Sequence, residues 1–430
     1  MTRQALTPSS ALPLVYFGAA HAGLMLAFGM TAADPEIATG HFLHPRMVAV
    51  VHLVTVAWIS GSILGAFYIV APLALGMPLP VGRGDWLVCI GFLAGTIGIV
   101  AHFWSGRYDL VPWFGGLVLM AVLWLATRAT LGVRRATAPW PVLLHVVLAF
   151  SNMMAAALLG MAIGFDRAYG VFGLPPLAAA FAHVHLAVIG WPMMMVVGLA
   201  YRLVPMFLPA RMPAGNGLAA SALLLELGIG VIVVTLLVGS AWLPIGAALI
   251  AGGLASFVRN MRAAVKHRLP RPPALPTRDW STWQTHVAIA WLFVAAALGL
   301  VLTTPSSSPR TGMMWVYGVA GLVGFLSQIV VGIQGRLVPM YAYYRAMSAL
   351  DGAPPPRGAN QLPTASFARP IFLLWTVGVP WFAWGVAAHH ATSVRLASLV
   401  MLAGVVTSAT YLAYLMRTAR QAVAATRRRP

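Results

Sequence analysis

The sequence predicts an all-α polytopic membrane protein, and three observations carry that prediction. The 430 residues are 60% hydrophobic and only 8% charged. Mean hydropathy is +0.84. Long apolar runs recur along the whole chain, and about 20 helical residues are enough to cross a hydrocarbon core of about 30 Å. We therefore expect one transmembrane domain over residues 1–430, built from about twelve transmembrane helices.

Short polar loops separate the predicted helices. The first apolar run, from Ala11, is long enough to span a membrane and is not followed by a small-residue cleavage site, so we expect it to be the first helix rather than a signal peptide. The predicted spans are residues 11–32, 46–75, 86–105, 111–131, 139–164, 176–208, 217–239, 241–258, 284–303, 312–341, 370–388 and 396–416.

The net charge of +19 comes from arginines and lysines in the loops and tails between these spans. Such an excess is typical of the positive-inside rule, which explains it better than nucleic-acid binding does. The even-numbered loops and the C-terminal tail are the basic ones, so we expect both termini to be cytoplasmic, in a bacterial-type inner membrane. A single cysteine, Cys89, excludes an internal disulfide framework and a cysteine metal cluster.

Three spans contain copies of one sequence. HLVTVAWISGSILGAFYIVAP begins at His52, HLAVIGWPMMMVVGLAYRLVP begins at His185, and VAGLVGFLSQIVVGIQGRLVP begins at Val319, where no histidine is present. The copies are 133 and 134 residues apart. Repeats at a fixed period indicate repeated structural units. We predict three four-helix units around a pseudo-threefold axis, at approximately residues 11–135, 139–262 and 284–418.

The histidines are the candidate functional residues. A histidine inside a membrane span is costly unless it is paired or acts as a ligand. We favour ligation for His52, His183 and His185, which share a depth near the outer face. Successive helical residues turn by about 100°, so His183 and His185 point to nearly opposite sides and would serve two different centres. His102, His389 and His390 close their spans on the same side and are candidate metal ligands.

Other histidines favour a structural role. His21, His145 and His286 each open a similar apolar run, which suggests a second, weaker repeat. For a lone histidine such as His21 or His286, a hydrogen bond to a backbone carbonyl is the favoured reading.

The segment HVHLAVIGWPMMMVVGLAYRLVP resembles the HxH helix of subunit I of the haem–copper oxidase superfamily, especially its nitric oxide reductase branch. The segment that begins at His52 resembles the second helix of that family. The resemblance implies that His52 and His185 are axial ligands of a low-spin haem and that His183 is the proximal ligand of a second, high-spin haem. In the family the HxH helix is the tenth, whereas here it is the sixth, so the order of the helices around the axis differs. An alternative pairing would make His52 equivalent to a copper ligand instead, and the family's helix-six copper-ligand motif is absent. The sequence is thus more similar to histidine-rich relatives such as the NnrS family.

The resemblance implies one or two b-type haems, with copper as an additional cofactor. It further implies respiratory electron transfer or reduction of nitric oxide or oxygen, in the lipid bilayer and without nucleic acid. Electrons would come from a cytochrome c-type or quinol donor, with a second small subunit as a further partner. A non-enzymatic haem or copper protein of nitric oxide stress or metal handling is one alternative, and a transporter is another.

Three further polar residues lie within spans. Glu226 is the one carboxylate deep in a span, and it is either a proton relay or a neutral, hydrogen-bonded acid. Arg202 and Arg336 lie in two copies of the RLVP ending, and we expect their side chains to extend to the lipid headgroups.

Overall fold

The computed structural model describes residues 8, 10–270, 279–307, 310–355 and 365–427. Within these residues, twelve helices are long and apolar enough to cross a membrane, which confirms the predicted all-α polytopic class. They are α1 (Leu12–Ala33), α2 (Pro45–Ala74), α3 (Arg83–Trp104), α4 (Val111–Val133), α5 (Trp140–Tyr169), α6 (Pro176–Phe207), α7 (Gly217–Val238), α8 (Leu243–Lys266), α9 (Trp280–Leu302), α10 (Thr311–Ala349), α11 (Ala365–Ala387) and α12 (Ala391–Arg427).

The chain divides into two compact units. The first holds Met1–Leu73, Pro272–Ala295 and Thr311–Pro430, so it contains α1, most of α2, the first part of α9 and α10 to α12. The second holds Ala74–Arg271 and Ala296–Arg310, and it contains α3 to α8. These borders differ from those of the predicted repeats, and the arrangement in three four-helix units stays a prediction.

Three of the long helices are interrupted by a π-helical segment of eight residues. The segments are Leu53–Ser60 in α2, Leu186–Met193 in α6 and Ala320–Ser327 in α10. They are spaced 133 and 134 residues apart, the same spacing as the copies in the sequence. π-Helical turns are rare and are frequent at functional sites. The repeated sequence is therefore accompanied by a repeated distortion of the backbone.

Side chains explain how these segments are stabilised. A buried aromatic ring lies in each one: Trp58, Trp191 and Phe325. In α2 the Ser60 hydroxyl donates to the carbonyl of Thr55 at 2.8 Å, and in α10 the Ser327 hydroxyl donates to the carbonyl of Leu322 at 2.8 Å. Both bonds reach five residues back, which is the hydrogen-bond step of a π-helix. In α6 the corresponding residue is Met193, and it follows Pro192, which has no backbone N–H to donate.

Exposed tryptophans lie at or near the ends of the helices. Their side chains are more than half exposed, and each lies within four residues of a helix terminus: Trp113, Trp140, Trp242, Trp283 and Trp384. Tryptophan is enriched where a bilayer meets water, because its ring is apolar and its N–H is polar. These are the positions at which we expect the helices to leave the hydrocarbon core.

Candidate functional site

His52 and His185 occupy the same position relative to the π-helical segments. Each is the last α-helical residue before its segment begins, and in α10 this position holds Val319. His52 donates from Nδ1 to the carbonyl of Val48 at 2.8 Å. His185 does the same to the carbonyl of Phe181 at 2.8 Å. The two candidate ligands therefore share both their register and their local hydrogen bond.

This hydrogen bond fixes the chemistry of each ring. A carbonyl oxygen only accepts hydrogen bonds, so Nδ1 must carry the hydrogen, and in the neutral ring Nε2 then carries the lone pair. Metal-ligating histidines commonly donate their other ring N–H to a carbonyl, which orients the ring and raises its basicity. His52 and His185 thus have the tautomer that a histidine ligand of haem iron requires, with the hydrogen on Nδ1 and the lone pair on Nε2.

The same bond occurs at histidines that we do not expect to be ligands. Nδ1 of His21, His102 and His145 contacts the carbonyl four residues earlier, at Phe17, Gly98 and Pro141 respectively. A bond to the preceding turn is thus a general way to satisfy a histidine inside an apolar helix. What distinguishes His52 and His185 is their place directly before a π-helical segment.

His183 contacts a different helix from its neighbour. Its Nδ1 contacts the carbonyl of Ala156 in α5 at 3.0 Å, whereas His185 bonds within α6. One turn further along α5, a Cβ added to Gly160 would lie 2.8 Å from Cε1 of His183. The ring therefore packs against the backbone of α5, and Gly160 provides the space for it. The two histidines thus make hydrogen bonds to different helices, while their predicted division between two centres and the iron ligation by His183 stay predictions.

The three candidate metal ligands lie at helix ends. His102 is in the last turn of α3, with its ring 5.2 Å from that of Phe114. His389 contacts the carbonyl of Thr39 through Nδ1 at 2.7 Å, and it has a positive φ of 53° in the short turn between α11 and α12. His390 accepts the backbone N–H of Ser393 on Nδ1 at 3.2 Å, near the start of α12. Among the described residues, no group of three or more His, Cys, Asp or Glu side chains could hold a metal ion.

The intramembrane acid Glu226 is paired. Asn152 of α5 donates from Nδ2 to Oε2 of Glu226 in α7 at 2.7 Å. A Cβ added to Gly190, in the π-helical segment of α6, would lie 2.7 Å from Cβ of Asn152. This pair therefore lies beside the distorted part of α6. An amide N–H satisfies a carboxylate oxygen in either protonation state, so both predicted roles of Glu226 remain open.

A buried hydrogen-bond network around His145 was missed by sequence reasoning. Nε2 of His145 lies 3.0 Å from Oγ of Ser221, and the hydroxyl of Tyr201 donates to the same Oγ at 3.0 Å. Asn260 reaches the Tyr201 hydroxyl at 3.4 Å. The network joins α5, α6, α7 and α8 of the second unit. The feature of the sequence that could have indicated this network is Ser221, a single serine in the apolar run of α7.

His21 and His145 do not lie at corresponding levels of the repeat. The ring of His21 is 5.0 Å from that of Trp58, whereas the ring of His145 is 5.7 Å from that of Tyr201. Trp58 and Tyr201 stand at different positions of the repeated sequence, ten residues apart. The weak similarity of the apolar runs that follow these histidines therefore does not reflect equivalent packing.

The two arginines of the RLVP endings bind protein groups. Nε of Arg202 donates to the carbonyl of Ala74 at 2.7 Å. Arg336 forms an ion pair with Asp279 at the beginning of α9. Each guanidinium therefore has an acceptor close by within its own unit, and the expected extension of these side chains to the lipid headgroups stays a prediction.

No family model matches this chain, and no curated protein matches it. The resemblance to haem–copper oxidase subunit I therefore depends on the sequences of two helices and stays a prediction. His52 belongs to the first compact unit, and His183 and His185 belong to the second.

Proposed function

We propose that this is a haem-binding integral membrane protein in which the imidazoles of His52 and His185 would hold b-type haem iron. The observation that carries the proposal is their shared position directly before a π-helical segment, together with an Nδ1–H that is held by a backbone carbonyl. The proposed role is respiratory electron transfer, or reduction of nitric oxide or oxygen.

The protein's own groups have defined tasks in this proposal. The carbonyls of Val48 and Phe181 hold the two rings in one tautomer and keep the lone pair on Nε2. A π-helical turn shifts the register of the side chains that follow it, so the residues after each histidine take positions that a regular helix would not give them. A bound haem would supply a one-electron redox centre, whose potential depends on its axial ligands and on burial.

The contacts of His183 favour a second candidate, a non-enzymatic haem protein with a single type of haem centre. Its ring packs on α5 against Gly160 and contacts the carbonyl of Ala156, which is a complete structural role for this side chain. In that case α6 would contribute one ligand, His185, and a second haem on the opposite face would not form. Such a protein fits nitric oxide stress or metal handling better than catalysis.

A reduced-minus-oxidised optical spectrum of the detergent-purified protein tests the proposal, with pyridine haemochrome quantification and copper analysis of the same sample. We expect sharp low-spin bands and at least one haem per chain. A copper ion in addition to two haems would favour a reductase, and one haem without copper would favour the non-enzymatic protein. A colourless protein after expression with adequate haem supply would contradict both.

A further inference from the structure

A patch of positive charge lies at one end of the second unit, where α8 ends beside the loop that joins α6 to α7. We call it the basic patch, and its members are all exposed: Arg211, Arg259, Arg262, Lys266 and Arg268. The backbone N–H of Leu269 donates to the carbonyl of Pro209 at 2.7 Å, and Ala210 forms a β-bridge with Arg268. The α6–α7 loop is therefore held against the end of α8, which brings Arg211 to the other four cations.

Acidic side chains do not balance the basic patch. Between Asp166 and Asp279 the sequence contains one acid, Glu226, which lies near the middle of α7 and is paired with Asn152. Within the described residues, the ion pairs are formed by other arginines, so no member of the patch has a carboxylate partner. The patch thus has an excess of about five positive charges over its immediate surroundings.

One member of the patch lies against the wrong end of a helix for its charge. A Cβ added to Gly217, the first residue of α7, would lie 3.3 Å from the Nη2 atom of Arg259. The N-terminus of a helix carries a partial positive charge, and the first turn of α7 has no acidic residue. The helix dipole therefore adds to the positive potential at Arg259, and an anion would be attracted by both.

The cations of α8 lie at the depth of lipid phosphates. Trp242, which is 60% exposed, directly precedes α8, as expected for a ring at one membrane interface. Arg259 is 17 residues further on, which is about 26 Å along the helix axis. Because the hydrocarbon core is about 30 Å thick, Arg259 and Arg262 reach the opposite boundary of the core, and Lys266 lies just beyond it.

The same face of α8 continues into the hydrocarbon as a shallow apolar surface. Arg259, Arg262 and Lys266 are three and four residues apart, so they form one stripe along the helix. The stripe continues towards the other end of α8 through Ala255, Gly252 and Ala248, where no long side chain projects. Leu224 of α7 borders this surface, because its Cδ1 lies 3.7 Å from a Cβ added at Gly252. A charged end and an apolar strip of membrane length thus lie in line.

From these positions we propose that this face of α8 binds an anionic phospholipid. Its phosphate lies among Arg259, Arg262 and Lys266, and one acyl chain lies along the surface from Ala255 to Ala248. The positive-inside rule explains on which side of the membrane these cations lie, but not why three of them share one helical stripe in line with small residues. A basic site at the end of membrane helices is suited to an anionic headgroup. This proposal does not depend on haem.

Titration of the full chain in detergent micelles tests the inference, with bound lipid counted by native mass spectrometry. The probes are dioleoyl-phosphatidylglycerol, which is anionic, and dioleoyl-phosphatidylcholine, which has the same chains but no net charge. We expect saturable binding of the first and binding of the second that is at least about tenfold weaker. Arg259→Gln should weaken binding of the anionic lipid about fivefold, and the double variant Arg259→Gln/Arg262→Gln about 25-fold.

The matched control is the double variant Arg134→Gln/Arg135→Gln, which removes the same two charges from exposed positions at the end of α4. Its affinity for the anionic lipid should equal that of the unmodified chain. Both double variants should keep the unfolding temperature and the haem content, because the substituted side chains are exposed. Equal binding of the two lipids, undiminished binding to Arg259→Gln/Arg262→Gln, or an equal loss in the control would overturn the proposal.

Inorganic phosphate distinguishes a lipid from a free anion. Added in large excess, it should displace no more of the bound lipid than sodium chloride does at the same ionic strength, because it has no chain to contact Ala248 to Ala255. Displacement by phosphate alone would overturn the assignment to a lipid and identify a site for the free ion. Haem content is measured separately, so either proposal can fail alone.

Discussion

The π-helical segments of α6 and α10 share a backbone but differ in the residue that precedes them. Both are eight residues long, and both bury an aromatic ring at the same position, Trp191 in α6 and Phe325 in α10. His185 precedes the first, and Val319 precedes the second. The distortion therefore forms without a histidine, so a π-helical turn does not by itself indicate a ligand in this protein. The π-helical backbone is common to both copies, and His185 is present before only one of these two segments.

The buried polar side chains of α10 form hydrogen bonds to other helices. Gln328 accepts from Gln284 of α9, and Gln334 donates to the hydroxyl of Ser62 in α2 at 3.1 Å. Both glutamines are buried and lie after the π-helical segment rather than before it. The copy in α10 thus has valine at the histidine position and forms hydrogen bonds to other helices further along. Under the proposed function, α6 would supply a haem ligand before its segment, whereas α10 supplies hydrogen bonds between helices after its segment.

The largest expected effect is on the haem itself. His185→Ala removes the lone pair on Nε2, and we expect complete loss of the low-spin bands in the reduced-minus-oxidised spectrum. Val319→Ala, the matched change in α10, should leave the spectrum and the haem content unchanged. Loss of the signal in both variants would show that the two segments do not differ in the way we infer.

His183→Ala sharpens the same comparison within α6. Because His183 contacts α5 and His185 bonds within its own helix, the low-spin bands should survive this change. Equal loss of these bands from both alanine variants would contradict the assignment of the two histidines to different surroundings.

Hydropathy was sufficient to predict the twelve helices but not their ends. α12 continues to Arg427, eleven residues beyond the predicted end at 416, and α10 continues to Ala349 rather than 341. A hydropathy run ends where the apolar environment ends, whereas backbone hydrogen bonds continue a helix into water. The repeats were likewise visible in the sequence, since they depend on residue identity alone.

The π-helical segments and the surroundings of His183 could not be predicted. LVTVAWIS contains no proline or glycine that would indicate a distorted turn, and its stabilising bond from Ser60 is visible only once the turn exists. The position of His183 depends on Gly160, which is 23 residues earlier in another helix. Contacts of this kind are set by tertiary packing, which one sequence does not record.

A smaller effect is expected when the space for His183 is filled. Gly160→Val places a branched side chain where even a Cβ would lie 2.8 Å from the ring, so we expect a loss of about 1–3 kcal/mol in the free energy of unfolding. Unfolding in detergent, followed by circular dichroism, measures it. Gly18→Val is the control, because no atom lies within 4 Å of an added Cβ there. The low-spin bands should persist in the folded fraction, and their loss would assign His183 to the low-spin centre.

The smallest expected effect tests whether π-helical segments with and without a preceding histidine are stabilised in the same way. Ser60→Ala in α2 and Ser327→Ala in α10 each remove one hydrogen bond to the carbonyl five residues earlier, so each should cost about 1 kcal/mol of unfolding free energy. Only Ser60→Ala should also shift the low-spin bands, because its turn follows His52 directly. Thr418→Ala, which removes an exposed hydroxyl from α12, is the control for both. A spectral shift in Ser327→Ala alone would reverse the roles that we assign, because it would place the redox centre beside the segment that has no histidine.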